Sequence, residues 1–429
     1  MNKNHTRLFT LAVVLLGVTP LFAAASDPVQ TWNQLALQTA RETSASDALA
    51  ARLYAMVNVA MYDAVNGIVS SHGNDDERDF AIVPPNGAPP QGDTLAAAAA
   101  AAHAVLAGEF PARAAIYDAQ LQTDLGARPQ SPRTKAGRDW GAAVGAQVRA
   151  ARANDGSTPN ETQPAGTGPG VFRAAWSGAQ FRNLAPFAIS DPSIYVTAGP
   201  PALDSLSYAA AFAEVKLLGN AAIPDAAKLD TFRFWNLPNG SDQPPGAWIQ
   251  IGLAVAASRS LELPQATRLL ALLSMGLCDS VGPTYMTKFL YRHWRPTTAI
   301  REASTDGNPN TDEDATWSPR GGSVGGTPEH TSGHSAFSGA GAAVLAGFFC
   351  TDSIAFTLAT DTAPGGQPRT YSSFSSAADE AGLSRVLGGV HFSFSNLDGL
   401  AVGRAIGAEV LAKKLLLKRG PTHFGECPR

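Results

Sequence analysis

Apolar residues in this chain recur three and four positions apart far more often than they alternate, which favours helices over sheets. SASDALAARLYAMVNVAMYDAVNGI, residues 44–68, shows it most clearly, with a polar start at Ser44 and Asp47 three residues on. TLAAAAAAAHAVLAGEF, residues 94–110, is helical by alanine propensity, and its His103 reads as packed or solvent-tipped rather than as a ligand. Further helices are expected over RTKAGRDWGAAVGAQVRAAR, SYAAAFAEVKLLG, GAWIQIGLAVAASRSLEL and PQATRLLALLSMGLC. No alternating run is long enough to found a sheet, and no repeat period marks a solenoid. An all-α fold follows.

The chain begins MNKNHTRLFTLAVVLLGVTPLFAAASDP, with Lys3 and Arg7 ahead of an apolar segment and Ala23-Ala24-Ala25 closing it. That order is a secretory signal, with cleavage expected near Ala25 and a secreted or periplasmic mature protein. No later segment reads as a long uninterrupted apolar run, so a membrane-spanning mature chain is not expected. The expected division is residues 1–25 as leader, 26–200 as an N-terminal helical region and 201–429 as a C-terminal helical bundle. A Pro/Gly-rich connection over about 153–203 is either a linker or a segment wrapped over one bundle. With 16% charged residues and a formal net charge of −4, nothing indicates a nucleic acid or a membrane surface as partner. Self-association is left open.

Three cysteines remain after the leader: Cys278, Cys350 and Cys427. An oxidising compartment permits one bridge and leaves one thiol, and spacing does not choose the pair. Cys278 lies in an apolar helical pattern and reads as buried and inert.

Chemistry concentrates in three segments. In KFLYRHWRP, residues 288–296, Lys288 and Arg295 are seven apart, which on one helix puts both on one face with Arg292 between them and Pro296 as terminator. A solvated basic face is the competing reading. In PEHTSGHSAFSGAGAA, residues 328–343, Ser332 and Gly333 precede a small-residue helix. Serine caps such a helix, and the free N–H groups at its start hold oxyanions. Glycine lets the anion approach, and His334 follows in the first turn, placed for proton transfer. The rival is zinc, since His330 and His334 are four apart, but Pro328 and Gly333 break a helix across both. In SRVLGGVHFSFSNLDGLAVGRAIGAEVL, residues 384–411, Gly388-Gly389 lets Arg385 and His391 converge ahead of a helix that Asp398 is placed to cap.

Together these supply two arginines, a lysine, a helix start and two histidines, a set suited to a tetrahedral oxyanion such as phosphate or vanadate. One histidine can attack or coordinate the central atom while the other moves a proton.

KFLYRHWRP, TSGH and SRVLGGVH resemble the tripartite signature of the vanadium haloperoxidase and type 2 phosphatidic acid phosphatase superfamily, in order and in internal spacing. More weakly, AMYDAVNGI and LAPFAI resemble the N-terminal region of its bacterial secreted members. The resemblance implies helical bundles of the vanadium haloperoxidase and acid phosphatase type. It implies that His391 coordinates the vanadium of vanadate, or attacks phosphorus in a phosphoester. Lys288, Arg295, Arg385, Ser332 and the Gly333 N–H would hold the equatorial oxygens, and His334 would be the acid–base residue. A haloperoxidase of this kind takes vanadate as cofactor, with hydrogen peroxide and halide as substrates. A phosphohydrolase takes no cofactor and passes through a phosphohistidine. A secreted oxyanion- or partner-binding protein without turnover is the third reading.

The chain departs from the pattern in places. Thr331 replaces the signature proline, and Thr327 stands where haloperoxidases often carry an aromatic or histidine. The aspartate that many members carry four residues after the coordinating histidine is Ser395, which leaves Asn396 or Asp398 to orient the ring. The loop 302–322 joins the first two segments. It is read as an acidic surface loop over the site, with its partial calcium motif lacking the glycine and the closing glutamate.

Overall fold

A computed structural model describes residues 27–71 and 78–418; the expected leader and Cys427 lie outside them. The fold is all-α. Five helices come first: α1 (Pro28–Glu42), α2 (Asp47–Ser70), α3 (Thr94–Glu109), α4 (Ala114–Gly126) and α5 (Pro132–Ala151). After the connection follow α6 (Leu206–Leu218), α7 (Ala226–Asn236), α8 (Gln243–Ser258), α9 (Leu263–Asp279), α10 (Val281–Tyr291) and α11 (Pro296–Arg301). The last are α12 (Gly333–Phe348), α13 (Phe374–Leu387) and α14 (Ser393–Lys413). Among the described residues, strand is confined to two antiparallel pairs, Thr162–Gln163 with Trp176–Ser177 and Phe356–Leu358 with Arg369–Tyr371. The start of α2 corrects one expectation: Ser46, not Ser44, is the N-cap, its side chain accepting from Leu49 N.

Small residues set how closely the helices approach. On α5, Gly137, Gly141 and Gly145 form a four-residue stripe, and carbonyl oxygens of Asp93, Ala97 and Ala101 lie where each Cβ would stand. The alanine run of α3 therefore packs backbone to backbone against α5. The same device joins α12 to α14: a side chain at Gly339 would strike the Leu400 carbonyl, and one at Gly403 the Ala336 carbonyl. That contact matters most for function, because one helix begins at Gly333 and the other just after His391.

One apolar core runs from Val29 to Leu415 and draws on α1, α2, α3, α8, α9, α12 and α14. A second unites Tyr208, Phe212 and Val215 of α6 with Trp294, Trp317, Val386 and Phe392. The stretch Leu263–Tyr291 is long and apolar enough to cross a bilayer, contrary to the sequence expectation, but 94% of its apolar window is buried inside the fold. Cys278, on α9, is the buried free thiol, whereas Cys350 is disulfide-bonded.

The Pro/Gly-rich connection wraps the bundle and is fastened to it. The buried Asp279 carboxylate accepts N–H groups of Phe187, Ala188 and Ile189 at 2.7, 2.7 and 2.9 Å. Nearer the site, Phe172 N donates to Arg292 O, Trp294 N to Gly170 O, and Glu329 N to His293 O. These bonds lock together the segments that flank Lys288 and Arg295.

Candidate oxyanion site

Lys288 lies in the last turn of α10, 4% exposed, and its Nζ donates to the carbonyls of Pro328 and Glu329. The helix does not continue to Arg295. Arg292 adopts the left-handed conformation at φ 48°, and Pro296 opens α11 rather than ending the preceding helix. Lys288 and Arg295 therefore meet from separate elements, not from one helical face. Arg292 turns away to the Pro164 carbonyl.

Arg295, at the N-cap of α11, is held on several sides. Nε donates to Thr327 O at 2.8 Å, and Nη1 donates to Val390 O at 2.7 Å and to His391 Nε2 at 3.0 Å. Arg385, at the end of α13, places its guanidinium over the Phe232 ring and leaves Nε buried without a partner. Burial holds all three cations below their ordinary pKa; repulsion from Arg295 adds to it at Lys288 and Arg385, while Glu329 opposes it at Arg295. Lys288 lies well below its usual range, Arg295 at about 10 and Arg385 at about 9.

The histidine tautomers follow from the partners. A guanidinium N–H can only donate, so the His391 Nε2 facing Arg295 carries a lone pair. Its proton is then on Nδ1, which donates to Glu329 Oε1 at 2.9 Å. Burial first, then Arg295, Lys288, Arg385 and His334, holds the His391 pKa well below its ordinary value. The ring is therefore neutral, with a bare nitrogen among cations. His334 Nε2 donates to the Asn236 carbonyl at 3.0 Å, which leaves Nδ1 as its proton-exchanging nitrogen. Burial, Arg385, Arg295 and Lys288 all favour its neutral form.

Ser332 is the N-cap of α12, its Oγ accepting from Ser335 N. Among the described residues no hydrogen bond uses the N–H of Gly333 or His334, so this helix start keeps free donors. Lys288, Arg295, Arg385, Ser332, Gly333, His334 and His391 thus come from α10, the starts of α11 and α12, α13 and the segment before α14 to one locality.

The orienting residue was missed in the sequence. Asn396 bonds Ser335 and Asp398 faces His330, so neither supports His391. Glu329 does, and its Oε1 also accepts Phe392 N at 3.0 Å, while Ser395 Oγ stands 3.4 Å from the same imidazole nitrogen. The available signal was a carboxylate within the PEHTSGH motif itself. Nor does Asp398 cap the following helix, which starts at Ser393 after Phe392.

His330, in the non-helical segment before α12, is fully buried, with Nε2 2.8 Å from Thr197 Oγ1. Among the described residues no group of three or more His, Cys, Asp or Glu is placed to hold a metal ion, against both the zinc and the calcium readings. In the loop 302–322, the Asp306 carboxylate accepts from Thr311 Oγ1, and Trp317 is buried against α6. That loop is part core, not only acidic surface.

The donor set fits a vanadate-sized oxyanion: a bare imidazole nitrogen, an orphaned buried arginine N–H, unused backbone donors and an excess of cations. Residues 268–418 match the family described as the VCPO second helical-bundle domain. The chain is similar in structure to the first bacterial vanadium-dependent iodoperoxidase, with a TM-score of 0.75 and 22% identity over 92% of this chain and 98% of that one. It is also similar to a holo-type bacterial vanadium-dependent chloroperoxidase, with a TM-score of 0.64 and 16% identity over 85% and 91% of the two chains. No curated protein matches in sequence. The chain has the helical fold of the vanadium haloperoxidase superfamily.

Proposed function

We propose that this protein is a vanadate-dependent haloperoxidase, exported by its leader, that oxidises halide with hydrogen peroxide. The observation that carries the reading is His391, a neutral imidazole with Nε2 bare beside Arg295 and Nδ1 committed to Glu329. Both named structural relatives are haloperoxidases that use vanadium, which supports the same cofactor here. Bound vanadate supplies a Lewis-acidic centre at which peroxide becomes an oxidant for halide.

This chain's own residues do the rest. His391 Nε2 offers a neutral nitrogen donor, and Lys288, Arg295 and Arg385 neutralise the oxyanion and fix its orientation. The free N–H groups at Gly333 and His334 receive further oxygens. Neutral His334 takes a proton through Nδ1 and returns it later. Export to an oxidising compartment agrees with the disulfide at Cys350, and N-terminal sequencing of the mature protein tests cleavage near Ala25.

The deciding assay uses purified mature protein with and without vanadate, scored for bromide and iodide oxidation and for phosphoester hydrolysis. Vanadate should switch on peroxide-dependent halide oxidation, with phosphate competing. Hydrolysis by the vanadate-free protein, merely inhibited by vanadate, would assign a phosphohydrolase with His391 as nucleophile. Oxyanion binding with neither activity would leave a binding protein.

A further inference from the structure

Asp47 is the first residue of α2, in a part of the chain far in sequence from the three anion-binding segments. Its Oδ1 accepts from Ala48 N at 2.7 Å and from the Tyr285 hydroxyl at 3.3 Å. Its Oδ2 enters no hydrogen bond among the described residues and lies 3.5 Å from where a Gly333 Cβ would stand. The free carboxylate oxygen therefore borders the glycine whose backbone N–H is among the unused donors. Burial raises the Asp47 pKa, against which the Ala48 N–H and the two titratable groups that face it, Lys288 and the Tyr285 hydroxyl, favour the ionised form.

A carboxylate at the edge of an anion site would seem to oppose the site's purpose. The conflict disappears if the oxyanion carries a proton, because a carboxylate oxygen accepts a hydrogen bond from an acidic hydroxyl. Against a fully deprotonated oxygen the same group presents a like charge. Vanadate and phosphate are protonated near neutral pH, and sulfate is not.

We propose that Asp47 is a specificity-determining residue of the oxyanion site, accepting the proton of a hydrogen-bearing tetrahedral oxyanion and rejecting dianions without one. This rests on the oxyanion reading of the site. The Tyr285 hydroxyl holds the carboxylate in place, and the absence of a side chain at Gly333 leaves Oδ2 room to reach the ligand.

The test is calorimetric titration of vanadate-free wild type, Asp47→Asn and Asp47→Ser with inorganic phosphate, vanadate and sulfate at one neutral pH. Wild type should bind phosphate and vanadate and prefer phosphate over sulfate by at least ~10-fold, the scale on which a near like charge acts. Both variants should narrow that ratio by ~10-fold or more, chiefly by gaining sulfate. An unchanged ratio in folded variants, even with altered melting temperature, would leave Asp47 a helix-start residue and overturn the proposal. Wild type that binds none of the three anions would remove the oxyanion reading itself, and this inference with it.

Discussion

Glu329 and His391 are 62 positions apart in the chain, yet Oε1 of one and Nδ1 of the other lie 2.9 Å apart in a fully buried contact. The carboxylate that fixes the imidazole thus comes from the segment before α12, not from the helix that follows the histidine. Replacing Glu329 by alanine should free the ring and lower vanadate affinity or turnover by about 10- to 100-fold, as loss of such a supporting partner does. Because Ser395 Oγ is 3.4 Å from the same nitrogen, Ser395→Asp in that background should restore part of the loss. Vanadate titration of the single and double variants checks both. Full vanadate affinity and turnover in Glu329→Ala would refute the orienting role.

The two histidines of the site should fail differently. His391→Ala removes the unprotonated nitrogen proposed to hold the central atom, so vanadate binding should weaken or vanish. His334→Ala should still take up vanadate but turn over ~100- to 10,000-fold more slowly, the usual contribution of a positioned proton-transfer group. Equilibrium binding and steady-state rates on both variants separate the roles. Equal loss of binding in both would refute the division.

Helix contact is the next lever. At Gly403 a methyl group would collide with the Ala336 carbonyl across the α12–α14 interface. Gly403→Ala should therefore destabilise the fold by about 1–3 kcal/mol or more, despite alanine's better helix propensity. Urea unfolding measures this, and a stabilised variant would show that the helices are not in backbone contact.

His330 should govern stability and its pH dependence, not anion binding. Its buried ring sits between Tyr291 and Phe394, and burial followed by Lys288 pushes its pKa from 6.5 down to about 3. The folded state thus keeps it neutral while the unfolded chain takes up a proton, so its contribution is full above 6.5 and is lost as pH falls towards 3. Asp63 and Asp279, raised by burial to about 6, act in the opposite sense: their contribution is full at low pH and is lost as pH rises through 6. Comparison with His330→Gln isolates the histidine. The variant should be less stable by about 1–3 kcal/mol at neutral pH. That gap should shrink by up to about 1.4 kcal/mol per pH unit below 6.5. A gap that stays constant down to pH 4 would contradict this.

Much of this was legible in the residues. The alanine run of α3 and the apolar periodicity of α9 gave helices within a residue or two, because local propensity and burial agree there. That Lys288, Arg295, Arg385, His334 and His391 come together was legible because the three segments carrying them match one spaced pattern. The break after Tyr291 was not, since Pro296 was read as a stop although proline also favours the first helical position. Glu329 and the burial of His330 were hidden for another reason. Both depend on which distant segments pack against residues 328–332, and no local pattern encodes that. Asp398 was assigned to a cap that the backbone of Phe392 provides without any side-chain bond.

The glycine contact between α12 and α14 has a consequence for how this protein can diversify. With backbone against backbone at Gly339 and Gly403, no side chain lies between the helices there for a mutation to enlarge or trim by degrees. The spacing between the start of α12 and His391 is consequently close to an all-or-nothing property. Variation that preserves folding must fall elsewhere, on the walls contributed by α2 and the segment around Thr327. New preferences among anions or halides should therefore be reached by changing what surrounds the site, while the frame that holds the reacting centre stays fixed.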